Sequence, residues 1–97
     1  MDLQFEWDDA KAKANLAKHG VAFDEALSVF ADPLARIFDD ADHSEDESRE
    51  FIIGFSAKPR LLVVGFTERS GPVRLIHARR ATKTERKRHE ENIKPRK

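Results

Sequence analysis

Arg79 and Arg80 stand just ahead of a helix start, a placement that suits a phosphate. A guanidinium fork matches a phosphate bidentately and stays charged. The helix start is legible because Thr82 and Glu85 have the spacing of a capping box, in which hydroxyl and carboxylate satisfy each other's backbone donors. Glu85 and His89 are spaced i, i+4 and share one face of that helix, and His77 lies on the strand before it. These three are candidates for moving a proton, with Glu68 an alternative base and Arg69 a third cation. Arg74, Lys83 and Arg86 add positive charge along the same stretch, suited to an RNA backbone.

The chain of 97 residues is formally neutral, but its charge is divided. Residues 1–50 carry 14 acidic against 5 basic side chains and residues 51–97 carry 4 against 13, so the halves net −9 and +9. Such asymmetry implies either a basic side that meets a polyanion or two halves that neutralise each other across the fold. The absence of cysteine excludes disulfide frameworks and cysteine zinc sites. His43 lies among Asp39, Asp40 and Asp42, but the glycine turn and fixed ligand spacing of a calcium loop are missing. The acid-rich stretch 39–50 therefore reads as a solvated loop, and no metal or cofactor is expected. No apolar run approaches about 18 residues and no leader pattern opens the chain, so the expectation is a cytoplasmic protein that does not engage a membrane.

The elements that must position these groups form one domain over residues 1–97. Leu3, Phe5 and Trp7 alternate with polar residues as a short strand. Asp8 or Asp9 caps a helix over Ala10–His19, with Leu16 as its anchor and Gly20 as its left-handed stop. Phe23, Ala26, Leu27 and Phe30 make a second helical stripe, closed by Asp32-Pro33. Leu34–Asp39 is a strand. Arg49–Ala57 and Arg60–Thr67 form a hairpin around Lys58-Pro59, apolar on both faces and so central in the sheet. Ser70-Gly71-Pro72 turns the chain into a last strand, Val73–Arg80, whose parity is open. If Val73 and Leu75 point to the helices, His77 and Arg79 follow them; if Ile76 and Ala78 do, the assignment reverses. The closing helix, about Thr82 to Asn92, is polar all round and should pack loosely or dock on something else, with residues 94–97 frayed.

With these residues in view, the chain resembles the BrnT family of bacterial type II toxins. The resemblance is carried by Phe5-Glu6-Trp7-Asp8, Asn15-Leu16, Lys18-His19-Gly20-Val21 and Phe23-Asp24-Glu25-Ala26. It continues through Asp32-Pro33-Leu34, Asp42-His43-Ser44, Phe66-Thr67-Glu68-Arg69, Ala78-Arg79-Arg80-Ala81 and Glu85-Arg86. His77 and His89 stand where the family usually carries a small hydroxyl residue and a tyrosine. The resemblance implies an α+β, RelE-like fold: a small, mostly antiparallel sheet with two N-terminal helices on one face and a short C-terminal helix. It also implies ribonuclease activity and a BrnA-type antitoxin partner, joined in a hetero-oligomer with a dimeric antitoxin.

Cleavage of RNA without a metal needs a base for the 2′-hydroxyl, cationic donors at the phosphate and an acid for the leaving 5′ oxygen. Arg79, Arg80 and Arg69 are expected to serve the phosphate, with His77, Glu85, His89 and Glu68 as the proton-transfer set. The alternative is a degenerate or non-catalytic module that binds nucleic acid or a partner. Against a stacking RNA platform, the expectation is that the chain lacks basic strands interleaved with aromatic residues.

Overall fold

The computed structural model describes residues 4–39, 49–68 and 71–93. Leu3, the acidic stretch at 40–48 with His43, Arg69 and Ser70, and residues 94–97 lie outside the described residues.

Five strands form one sheet in the order β1 (Phe5–Glu6), β5 (Val73–Arg80), β4 (Leu61–Glu68), β3 (Arg49–Phe55), β2 (Arg36–Asp39). β1 runs parallel to β5, and the other three neighbouring pairs are antiparallel. Helices α1 (Asp9–His19) and α2 (Phe23–Leu27) cover one face, while α3 (Lys83–Ile93) crosses the other. The hairpin is central and its apolar residues divide as the period of two requires. Ile52, Leu62, Val64 and Phe66 join Val21 and Val29 in the main core, whereas Ile53, Leu61 and Val63 form a smaller cluster beneath α3.

Local signals set the first helix. Asp8 caps it by accepting the Lys11 N–H at 3.0 Å, and Gly20 ends it at φ 69°. The expected anchor does not hold, because Leu16 is 52% exposed and the buried residue of the helix is Asn15. β1 pairs with only Val73 and Arg74, which leaves the far half of β5 without a strand on that side. Asn15 takes the place of one: its side-chain amide accepts the Ala78 N–H at 3.0 Å and donates to the Ala78 carbonyl at 2.8 Å. It donates also to the Val21 carbonyl at 2.9 Å. A leucine could not satisfy those groups, so the helix turns its polar residue inward.

The second helix is shorter than its apolar stripe predicts, giving way at Ser28 to a 3-10 turn, Ser28–Ala31. Ser28 Oγ donates to the Glu25 carbonyl at 2.6 Å and accepts the Ala57 N–H at 2.8 Å, which ties this turn to the hairpin loop. The buried Glu25 carboxylate reinforces the tie, accepting from Ser56 Oγ and from the Arg60 guanidinium. Arg60 in turn holds the Glu25 carboxyl below its ordinary pKa, against the opposing effect of burial. β2 starts later than expected, since Leu34 sits in a turn with its N–H on Asp32 Oδ1 at 3.0 Å.

The open parity of the last strand is resolved by a bulge. Phe66 pairs with Leu75 but Gly65 pairs with His77, so Ile76 is the extra residue. Val73, Leu75 and Ala78 consequently all enter the main core.

Asn15→Ala should cost about 2–4 kcal/mol, because it strands the Ala78 N–H and carbonyl and the Val21 carbonyl in the interior. Urea denaturation at neutral pH measures this, and a loss under about 1 kcal/mol would refute the account.

Candidate active site

The corner between β5 and α3 is built around one carboxylate. Glu85 Oε1 accepts the Thr82 N–H at 2.9 Å while Thr82 Oγ1 accepts the Glu85 N–H at 3.1 Å, completing the capping box. The same carboxylate takes both arms of the Arg79 guanidinium, at 2.8 and 2.9 Å. This fork holds the Glu85 pKa down to about 2, with burial opposing and the Thr82 N–H assisting. It raises that of Arg79, so both groups are charged at neutral pH. An acid this strong is a poor acceptor for a substrate proton near pH 7. Its geometry is that of a holder, fixing Arg79 on the α3 face.

The other candidates are distributed by strand alternation. Arg79 pairs with Val63 of the smaller cluster and Arg80 with Leu62 of the main core, so the adjacent arginines leave from opposite faces of the sheet. Arg80 is exposed, as are Lys83 and Arg86 on the outer side of α3. Glu68, at the end of β4, and Arg74, near the start of β5, lie about 20 Å from Arg80 at the rise of an extended strand. There Arg74 pairs with Glu6 at 2.9 Å. Arg69 lies outside the described residues.

His77 shares the α3 face with Arg79, two residues away, and its ring lies across Gly65. A Cβ at Gly65 would come within 2.7 Å of the His77 ring at Cδ2, which explains a glycine in the otherwise apolar run of β4. His89 is buried, only 3% exposed, and packs edge-on against Phe55 with centroids 6.0 Å apart. Its Nε2 is enclosed without a hydrogen-bond partner.

The remaining feature is a groove of about 210 Å³ between α3 and the sheet. Phe51 and Ile53 form its floor, Phe38 one wall, and Glu85, Arg88, His89 and Asn92 the other. The four helix residues stand at i, i+3, i+4 and i+7, so α3 turns a polar stripe toward an apolar floor. Arg36 closes one end by donating to the Asn92 carbonyl at 3.0 Å. Phe38 and Phe51 stack with centroids 5.3 Å apart, and Arg36 and Arg49 lie on the same face as these rings. Contrary to the expectation from the sequence, each of these strands carries a basic and an aromatic residue two positions apart on one face, Arg36 with Phe38 and Arg49 with Phe51. Sequence reasoning missed Phe38, Phe51, Arg88 and Asn92, which come together only through the pairing of β2 with β3 and the docking of α3. The helical spacing of the polar stripe and the glycine inside β4 were the available signals.

The family model for the ribonuclease toxin BrnT of type II toxin-antitoxin systems matches residues 7–85. The chain belongs to the BrnT family. Among solved structures, the crystal structure of the Brucella abortus ribonuclease toxin BrnT superimposes with a TM-score of 0.65 at 22% identity. The match covers 84% of this chain and all of that one, and at such identity it establishes the shared fold. No curated protein matches the sequence. The family's toxins act within toxin-antitoxin pairs, which makes an antitoxin and RNA the partners to be accommodated. No helix among the described residues is long and apolar enough to cross a membrane.

Two predictions follow from this geometry. Because the Glu85 pKa is depressed, its contribution is complete above about pH 4.5 and is lost as pH falls toward about 2. Over that window the native chain should lose about 1–2 kcal/mol more stability than Glu85→Gln, a figure reduced for partial exposure of the pair. Denaturation at several pH values reads this difference, with equal losses contradicting it. Gly65→Ala should displace the His77 ring, lowering RNA cleavage about tenfold while changing stability by less than about 1 kcal/mol. Unchanged cleavage by a folded variant would remove His77 from the site.

Proposed function

We propose that this BrnT-family chain is an endoribonuclease that cleaves RNA without a metal and is neutralised by a BrnA-type antitoxin. The single observation that carries the reading is Arg79, half-buried and held by Glu85 two residues along the strand from His77, on the face where α3 leaves a groove. A fixed guanidinium beside an imidazole supplies the charge stabilisation and proton transfer that the reaction requires.

In this mechanism His77 removes the 2′-hydroxyl proton, and the oxygen attacks the adjacent phosphorus. Arg79 stabilises the crowded phosphate with the part of its fork not committed to Glu85. The bond from phosphorus to the 5′ oxygen breaks, a protonated group returns a proton to that oxygen, and the products carry a 2′,3′-cyclic phosphate and a 5′-hydroxyl. Requirement for the 2′-hydroxyl makes the reaction selective for RNA. Arg80, Lys83 and Arg86 hold the RNA backbone beyond the corner, a role suited to exposed cations. Glu85 serves as the positioning carboxylate. A RelE-like architecture is part of the same reading.

Neutralisation has a structural rationale on the outer strand. β2 ends the sheet among the described residues, all four of its side chains are exposed, and Ile37 is 55% exposed. An antitoxin segment that pairs along this edge would also cover Phe38 at the groove.

Arg79→Ala should abolish growth inhibition and reduce cleavage at least 100-fold in a folded protein, and Arg79→Lys should recover little because it lacks the fork. Arg80→Ala should weaken RNA binding with a smaller effect on turnover. Full toxicity of a folded Arg79→Ala variant would overturn the proposal. Activity abolished by chelator and restored by magnesium would overturn its metal-independent part.

A further inference from the structure

We infer that the groove between α3 and the sheet is a nucleobase subsite in which one unpaired RNA base extends the stack of Phe38 on Phe51. The inference rests on RNA being the substrate and adds where a base is held.

The groove is an anomaly as packing. An apolar floor of Phe51 and Ile53 faces the polar stripe Glu85, Arg88, His89 and Asn92, where leucines would close the space. A flat, apolar, aromatic surface opposed by hydrogen-bonding groups is the chemistry of a heteroaromatic ring, apolar on its faces and polar at its edges. Phe38 already lies nearly parallel to Phe51, at an interplanar angle of 25°, and keeps 38% of its surface exposed. On the opposite wall, the buried His89 carries an Nε2 without a partner.

Charge and continuity favour a nucleotide over an apolar peptide. Arg88 lines the groove and Arg36 closes its end, so a phosphate entering with the base meets cations. The groove begins at Glu85, the carboxylate that holds Arg79. Strand pairing also sets His77, Gly65, Phe51 and Phe38 in one row across four strands. A strand of RNA crossing this row would place a phosphate near His77 and Arg79 and a base at Phe38, about 14 Å away across three strand spacings. Its volume suits one base and not a paired duplex, so the site selects single-stranded RNA.

The test uses a short RNA oligonucleotide that is 2′-O-methylated throughout and therefore uncleavable, with binding read by fluorescence anisotropy. An abasic position walked along it should weaken binding to the native protein about tenfold at one place. Phe38→Leu, which keeps an apolar group on an exposed strand, should weaken binding of the parent oligonucleotide by the same factor and abolish the abasic effect. Phe38→Trp should restore both. Native protein that binds and cleaves RNA while Phe38→Leu retains the parent affinity and the abasic profile would overturn the subsite alone. Native protein that neither binds nor cleaves RNA would overturn the ribonuclease reading and the subsite with it.

Discussion

The Glu85 carboxylate is the constraint on which the second face of the molecule depends. Three donors meet on it, two from the Arg79 fork and one from the Thr82 backbone. The first two reach back to β5 and the third starts α3, so one side chain fixes the angle at which the strand becomes the helix. α3 is thereby turned across Ile53, Leu61 and Val63, which an all-polar helix would have little reason to cover on its own. The Arg36 bond to the Asn92 carbonyl holds the helix at its other end. Between these two ties lies the groove.

The two faces of the sheet are built to different standards. Beneath α1 and α2 the packing is dense, with Val21, Val29, Leu62 and Val64 fully enclosed and Phe30 bridging Phe5 and Phe66 at 5.0 and 5.2 Å. Beneath α3, stability is given up. The buried His89 position forgoes about 1.5–3 kcal/mol that a leucine there would contribute, and its unpartnered buried nitrogen costs about 1–3 kcal/mol more. Folds tolerate such local inconsistency where function requires it. The main core and the Glu25–Arg60 tie offset it on the opposite side.

What could be read from the sequence was what the chain decides locally. The Asp8 cap, the Gly20 stop, the Thr82–Glu85 box and the hairpin around Lys58-Pro59 each depend on residues within a few positions of one another. The BrnT resemblance supplied the family, and the match over residues 7–85 bears it out. What escaped depended on register. The bulge at Ile76 reconciles two parities that alternation treats as exclusive, and Asn15 is buried only because β1 stops short beside β5. The separation of Arg79 from Arg80 was contained in the period of two, yet their adjacency suggested a joint clamp. Phe38 and Phe51 stand 13 positions apart and meet only through the pairing of β2 with β3.

The claim that all of this supports is that RNA is handled on the α3 face. Backbone amide shifts of the isotopically labelled chain, recorded during titration with an uncleavable 2′-O-methylated RNA oligonucleotide, test it most directly. The account predicts the largest changes at Phe38, Phe51, His77, Arg79, Arg88 and Asn92, with the α1 amides from Lys11 to Lys18 unmoved. Changes concentrated on α1 and α2, with the α3 face unaffected, would contradict it.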